Sequence, residues 1–83
     1  MKELKDTVAG MTSADYKERF KAEYMQAVIR LAKLTKVIDD YYKKTISFRL
    51  DCPIEVLEEQ QNILSDYIAI LSNRAGYEGI DLS

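Results

Sequence analysis

The sequence has no histidine, no tryptophan and a single cysteine, Cys52. Without imidazole, and with one thiol, the chain cannot assemble a Cys/His zinc site, a Cys-His nucleophile pair or an internal disulfide. No catalytic residue, metal or cofactor is therefore assigned, and the protein is not expected to be an enzyme. Cys52 itself reads as a small capping or packing residue, because no base is at hand to generate its thiolate, although a helix amino terminus lowers a thiol pKa. One proline and three glycines leave few breaks, so long periodic stretches follow. No apolar run approaches the roughly 18 residues of a membrane span, and the start, Met-Lys-Glu-Leu-Lys-Asp, is too polar for a signal peptide. A cytoplasmic protein away from any membrane is the expectation. Eighty-three residues, 47% of them hydrophobic and 31% charged, suit one small domain. So short a chain has little room to enclose a ligand alone, and a site shared between copies is expected.

Periodicity divides the chain into four pieces. Residues 1–13 carry few large aliphatics and read as a flexible or partly helical leader, with a short packed helix as the alternative and Met11 as a second candidate start. Residues 14–82 form the single domain. Its first helix, about 14–44, is expected to start behind a Thr12 or Ser13 cap, with Asp15 at the positive dipole end. Phe20, Tyr24, Ala27, Leu31, Leu34, Ile38 and Tyr41 then recur in steps of four and three, which is a heptad packing stripe. The connection 45–52 alternates Ile46, Phe48 and Leu50 with polar residues. It is expected to lie ordered on the helices or to pair as an edge strand between subunits.

The second helix, about 53–75, opens at Pro53 in the first helical position, with Glu55 placed to reach back as a capping-box carboxylate. Glu55, Glu58 and Glu59 complement the helix dipole better than they suit a carboxylate-pair hydrolase. Ile54, Leu57, Gln61, Leu64, Ile68, Leu71 and Ala75 make one stripe, and Val56, Gln60, Ile63, Tyr67, Ile70 and Arg74 a second beside it. Two adjacent stripes present more surface than one partner helix covers, so the fold is read as all-α, a long antiparallel helical hairpin that assembles into a bundle of several chains. Val56, Ile63, Tyr67 and Ile70 are the expected oligomer contacts. Gln61, in a stripe, either fixes register through a hydrogen bond or faces solvent. Gly76 is expected to end the helix in the left-handed conformation, with a docked tail over 77–82.

The net charge of −2 is uneven. Residues 14–44 hold eight basic and five acidic side chains, whereas 53–83 hold one and six. That asymmetry draws the two helices together, within a hairpin or across subunits. It also leaves basic groups for an anionic ligand: Arg19, Arg30, Lys33 and Arg49, with Tyr42 for stacking, are the candidate ligand contacts. A nucleic-acid groove is not expected on an acidic domain with one mixed-charge basic helix.

Two stretches carry a family resemblance. Asp15-Tyr16-Lys17-Glu18-Arg19-Phe20-Lys21-Ala22-Glu23-Tyr24 and Cys52-Pro53-Ile54-Glu55-Val56-Leu57-Glu58-Glu59-Gln60, followed by Arg74-Ala75 and Glu78-Gly79-Ile80-Asp81-Leu82, resemble a family of small helical proteins of tailed phages and prophages, including crAss-like phages. The resemblance covers about residues 12–82. In the family the connecting loop often holds a Gly and a further Pro, both missing from Lys43-Lys44-Thr45-Ile46-Ser47-Phe48, so no loop conformation carries over. Phage membership implies a nonenzymatic binding protein of the host cytoplasm that antagonises bacterial defence. One form is a sponge that holds a nucleotide-derived immune signal at a subunit interface; another caps a host defence protein. The alternative is a small phage structural or regulatory protein that binds a host or phage protein through its helical surface.

Overall fold

The computed structural model describes residues 3–46 and 48–82; Ser47, part of the alternating connection, lies outside them. Two long helices, α2 (Tyr16–Tyr42) and α3 (Ile54–Glu78), pack as an antiparallel hairpin, preceded by a 3₁₀ turn (Leu4–Thr7) that runs into the short α1 (Val8–Met11). Among the described residues there is no strand, and the connection 45–52 is irregular.

Helix α2 starts two or three residues later than a Ser13 or Thr12 cap implies, because Asp15 offers the stronger acceptor. Its carboxylate accepts the Lys17 amide at 2.9 Å, while the Ser13 hydroxyl accepts the amide of Asp15 at 3.0 Å. At its other end Lys44 takes a left-handed φ of 59°, and the Thr45 amide closes back on the Asp40 carbonyl at 2.8 Å. In the connection that follows, Phe48 is exposed, while Ile46 and Leu50 on either side are half-buried. The three apolar residues of the connection thus do not lie down together.

Helix α3 departs from expectation at both ends. Pro53 stands at the N-cap, one place before the first helical residue, and no side chain caps that end, so the capping box with Glu55 does not form. A proline cap has no side-chain acceptor to begin it. The helix also runs straight through Gly76. The left-handed residue is Gly79, φ 68°, and the Ile80 amide then bonds the Ala75 carbonyl at 2.9 Å. Continuing three residues further lets the chain turn where Ile80 drops into the core. Phe20, Leu71, Ala75 and Ile80 are buried together there, with Tyr24 and Leu82 against them.

Helix α2 is sandwiched. Its heptad stripe, carrying Phe20, Ala27 and Ile38, faces α3, where the Gln61 side-chain amide donates to the Thr35 hydroxyl at 3.0 Å. The opposite face carries the leader. Gly10 comes so close to Ala22 that a β-carbon on it would lie 3.0 Å from the Ala22 methyl. Gln26 donates to the buried Thr7 hydroxyl at 3.1 Å, and Lys33 pairs with Glu3 at 3.7 Å. Ile29, one heptad beyond Ala22 on this face, is 1% exposed.

Candidate functional site

The packing leaves one apolar stripe of α3 in solvent. Val56, Ile63, Ile70 and Tyr77 repeat at intervals of seven, and all are exposed, Ile63 to 60% and Ile70 to 57%. Tyr67 lies between them. A shallow open groove of 460 Å³ runs along the stripe beside Val56, Glu59, Gln60, Ile63 and Leu64. The second stripe read from the sequence is thus present as a surface whose aliphatic residues Val56, Ile63 and Ile70 stay exposed, while Tyr67 and Arg74 at its border bond α2. A structure this elongated has surface to spare. Its radius of gyration is 14.9 Å, against about 12 Å for a compact domain of this length. Its accessible area is 6033 Å², some 900 Å² above the roughly 5,100 Å² expected of a compact monomer of this mass.

One edge of α2 borders this stripe, and polar side chains stitch the border. At the core end the Tyr16 hydroxyl donates to Glu78 Oε1 at 2.6 Å and accepts from Arg74 Nη2 at 2.8 Å. Arg74 Nε also pairs with Glu78 at 3.0 Å, and its guanidinium lies 5.0 Å from the Phe20 ring centroid. Glu78, accepting from Tyr16 and Arg74, is held below the usual carboxylate range, whereas bonding to Glu78 raises Tyr16 and Arg74 above theirs. Seven residues along α2 from Tyr16, Glu23 accepts from the Tyr67 hydroxyl. Seven further, Arg30 continues the same edge, exposed and without a hydrogen bond or ion pair to any described residue. Arg19 stands on this edge too, with Nη1 donating to the Ser13 carbonyl at 2.8 Å. Sequence reasoning missed Arg74 as a member of this cluster; its place in the second stripe, one residue before the buried Ala75, was the available signal.

The other proposed contacts lie elsewhere. Lys33 is on the leader face, bonded to Glu3. Tyr42 is 23 residues from Arg19, about 35 Å along the helix. It stands edge-on to Tyr41 at 5.3 Å, and hydrogen bonding to Glu58, with Glu55 nearby, pushes its pKa up. Arg49 is exposed in the connection. No single chain brings all five together; Arg19 and Arg30 alone share an edge.

A second cleft, of 290 Å³, lies between leader, α2 and tail, with Asp6, Glu18 and Lys21 on its walls. Lys21 is already paired with Glu18 at 3.7 Å, which leaves this cleft unsuited to an anion. No described group of three or more acidic or cysteine side chains is placed to hold a metal ion. Among the described residues no helix is long and apolar enough to cross a membrane.

No curated protein and no solved structure matches this chain. A family model does, the one described as Sequestin, over residues 14–77, which takes in all of α2, the connection and all but the last residue of α3. The family model thus covers the hairpin that bears the bare stripe and its arginine edge, and the chain belongs to the Sequestin family, non-catalytic phage proteins that sequester nucleotide immune signals in the host cell to evade its defence.

Proposed function

We propose that this chain holds its nucleotide-derived signal at an interface between copies, built on the bare α3 stripe of Val56, Ile63, Tyr67 and Ile70, with Arg19 and Arg30 donating to phosphate. The exposed heptad on α3 carries this reading. Ile63 and Ile70 are large aliphatic side chains more than half in solvent on a helix whose other face is packed. The surplus of some 900 Å² is close to the roughly 800 Å² that each partner buries in a standard interface. Arg30 beside the stripe is exposed and spends its donors on no described residue, and guanidinium forks match phosphate geometry.

Calorimetric titration with a panel of cyclic mononucleotides, cyclic dinucleotides and cyclic ADP-ribose isomers tests the proposal. At least one should bind, and Arg30→Ala should weaken it by about 10- to 100-fold, the worth of one or two charge-assisted hydrogen bonds. No heat and no thermal shift with any of them would refute nucleotide sequestration by this chain. Recovery of one stoichiometric host protein in a pull-down would then favour the protein-capping alternative.

A further inference from the structure

The order of residues along the bare stripe of α3 is nearly the same read in either direction. From Val56 it runs apolar, Gln60, Ile63, Tyr67, Ile70, Arg74, and ends on the apolar ring of Tyr77. We infer that two copies pair antiparallel through α3, crossing at Tyr67, and that this pairing creates one shared groove between the two α2 helices. The inference rests on the interface proposed above and adds its geometry. An antiparallel crossing at Tyr67 sets Ile63 against Ile70 of the second copy, Val56 against Tyr77 and Gln60 against Arg74. Apolar meets apolar and polar meets polar at each level. A shift of half a heptad in either direction sets Arg74 against Ile63 or Val56 instead, leaving a guanidinium over an aliphatic side chain.

The position of the stripe on α3 dictates where the α2 helices go. At 3.6 residues per turn it stands about 110° around α3 from the face packed on α2. In an antiparallel pair the two-fold axis is perpendicular to the helices, so both α2 helices fall on the same side of the α3 pair. With neighbouring axes about 9 Å apart, the two α2 axes are then about 15 Å apart, and after side chains about 5 Å of open groove remains. The α2 edges facing across it are those that border the stripe, as the contacts of Glu23 with Tyr67 and of Tyr16 with Arg74 establish. Each wall carries Arg19, Glu23 and Arg30, so the two walls hold four arginines against two glutamates, and the Arg74–Glu78 ion pair at the border of each copy adds no net charge. It is narrow enough for a planar base or a phosphate chain and is cationic, with identical walls. A parallel pair has its two-fold axis along the helices, puts the two α2 helices on opposite sides, and forms no such groove.

Single cysteines in a Cys52→Ser background decide between these arrangements under mild oxidation, since a disulfide requires Cα atoms within about 7 Å. Tyr67→Cys should cross-link to itself. Val56→Cys alone should not, whereas an equal mixture of Val56→Cys and Tyr77→Cys chains should. All three positions are solvent-exposed, and circular dichroism checks that the helices persist. Asp66, one residue before the crossing, approaches its own copy on the outer side of the pair, so Asp66→Asn should tighten association. Self-cross-linking of Val56→Cys as readily as Tyr67→Cys would overturn the antiparallel geometry while leaving an α3 interface. Dimers in light scattering with no cross-link in any of the three would move the interface off this stripe. Either result leaves the nucleotide titration to judge sequestration by itself.

Discussion

The Tyr16 hydroxyl, at the start of α2, donates to the Glu78 carboxylate at the last turn of α3 across 2.6 Å, and so joins the two ends of a hairpin that are 62 residues apart in sequence. Arg74 completes the triangle by bonding both. The bond to Tyr16 is the largest cause of the low Glu78 pKa and the bond to Glu78 the largest cause of the high Tyr16 pKa.

The sign of the pH dependence follows from those two shifts. Glu78 is depressed when folded, so its contribution is present above the unfolded-state value, near pH 4.3, and is lost as pH falls through the folded value. Tyr16 is raised, so its contribution is present below about pH 10 and is lost as pH rises through the folded value. Tyr16→Phe should therefore move the Glu78 carboxyl, followed by carbon-detected NMR titration, upward toward an ordinary glutamate. The thermal midpoint should change little, because the triangle is in solvent. A Glu78 titration unchanged by the substitution would place the cause elsewhere.

Two glycines three residues apart should respond in opposite directions. Gly76 is helical with nothing within 4 Å of the position a β-carbon would take, so Gly76→Ala should raise stability by about 0.5–1 kcal/mol. Gly79 has φ 68°, so Gly79→Ala should lower it by about 1–2 kcal/mol. Urea denaturation of both variants measures this, and the reverse order would mean that the helix ends at Gly76.

These two glycines also show where sequence and structure part. Both precede a tyrosine or an isoleucine in a stretch of fading periodicity, and nothing local says which one turns. What decides is tertiary, since ending at Gly79 delivers Ile80 to Phe20 and Leu71. The heptad from Phe20 to Tyr41 was legible because a long helix repeats one packing relationship many times, and the second stripe from Val56 to Ile70 for the same reason. The anion contacts were less so. Composition identifies arginines and lysines without saying which share an edge, and the pairing of Lys33 with Glu3 depends on a leader whose own sequence shows little helical period.

The leader's docking is itself open to test. Gly10 lies against Ala22 with no room for a larger side chain, so Gly10→Val should lift residues 4–11 off α2 while the hairpin persists. Hydrogen exchange should then quicken at the Thr12 amide, which bonds the Val8 carbonyl at 3.1 Å, and at leader amides generally, with little change in the centre of α3. Unchanged protection of the leader would show that Gly10 does not govern its docking.

A signal held between two copies requires a dimer, and the mass in solution tests that most directly. Light scattering at micromolar concentration should give twice the 9.6 kDa chain mass for the protein, and the single-chain mass for Ile63→Glu, which sets a charge in the middle of the bare stripe, with helix content preserved. A protein that scatters as a 9.6 kDa monomer across that range would contradict the interface and every contact placed in it.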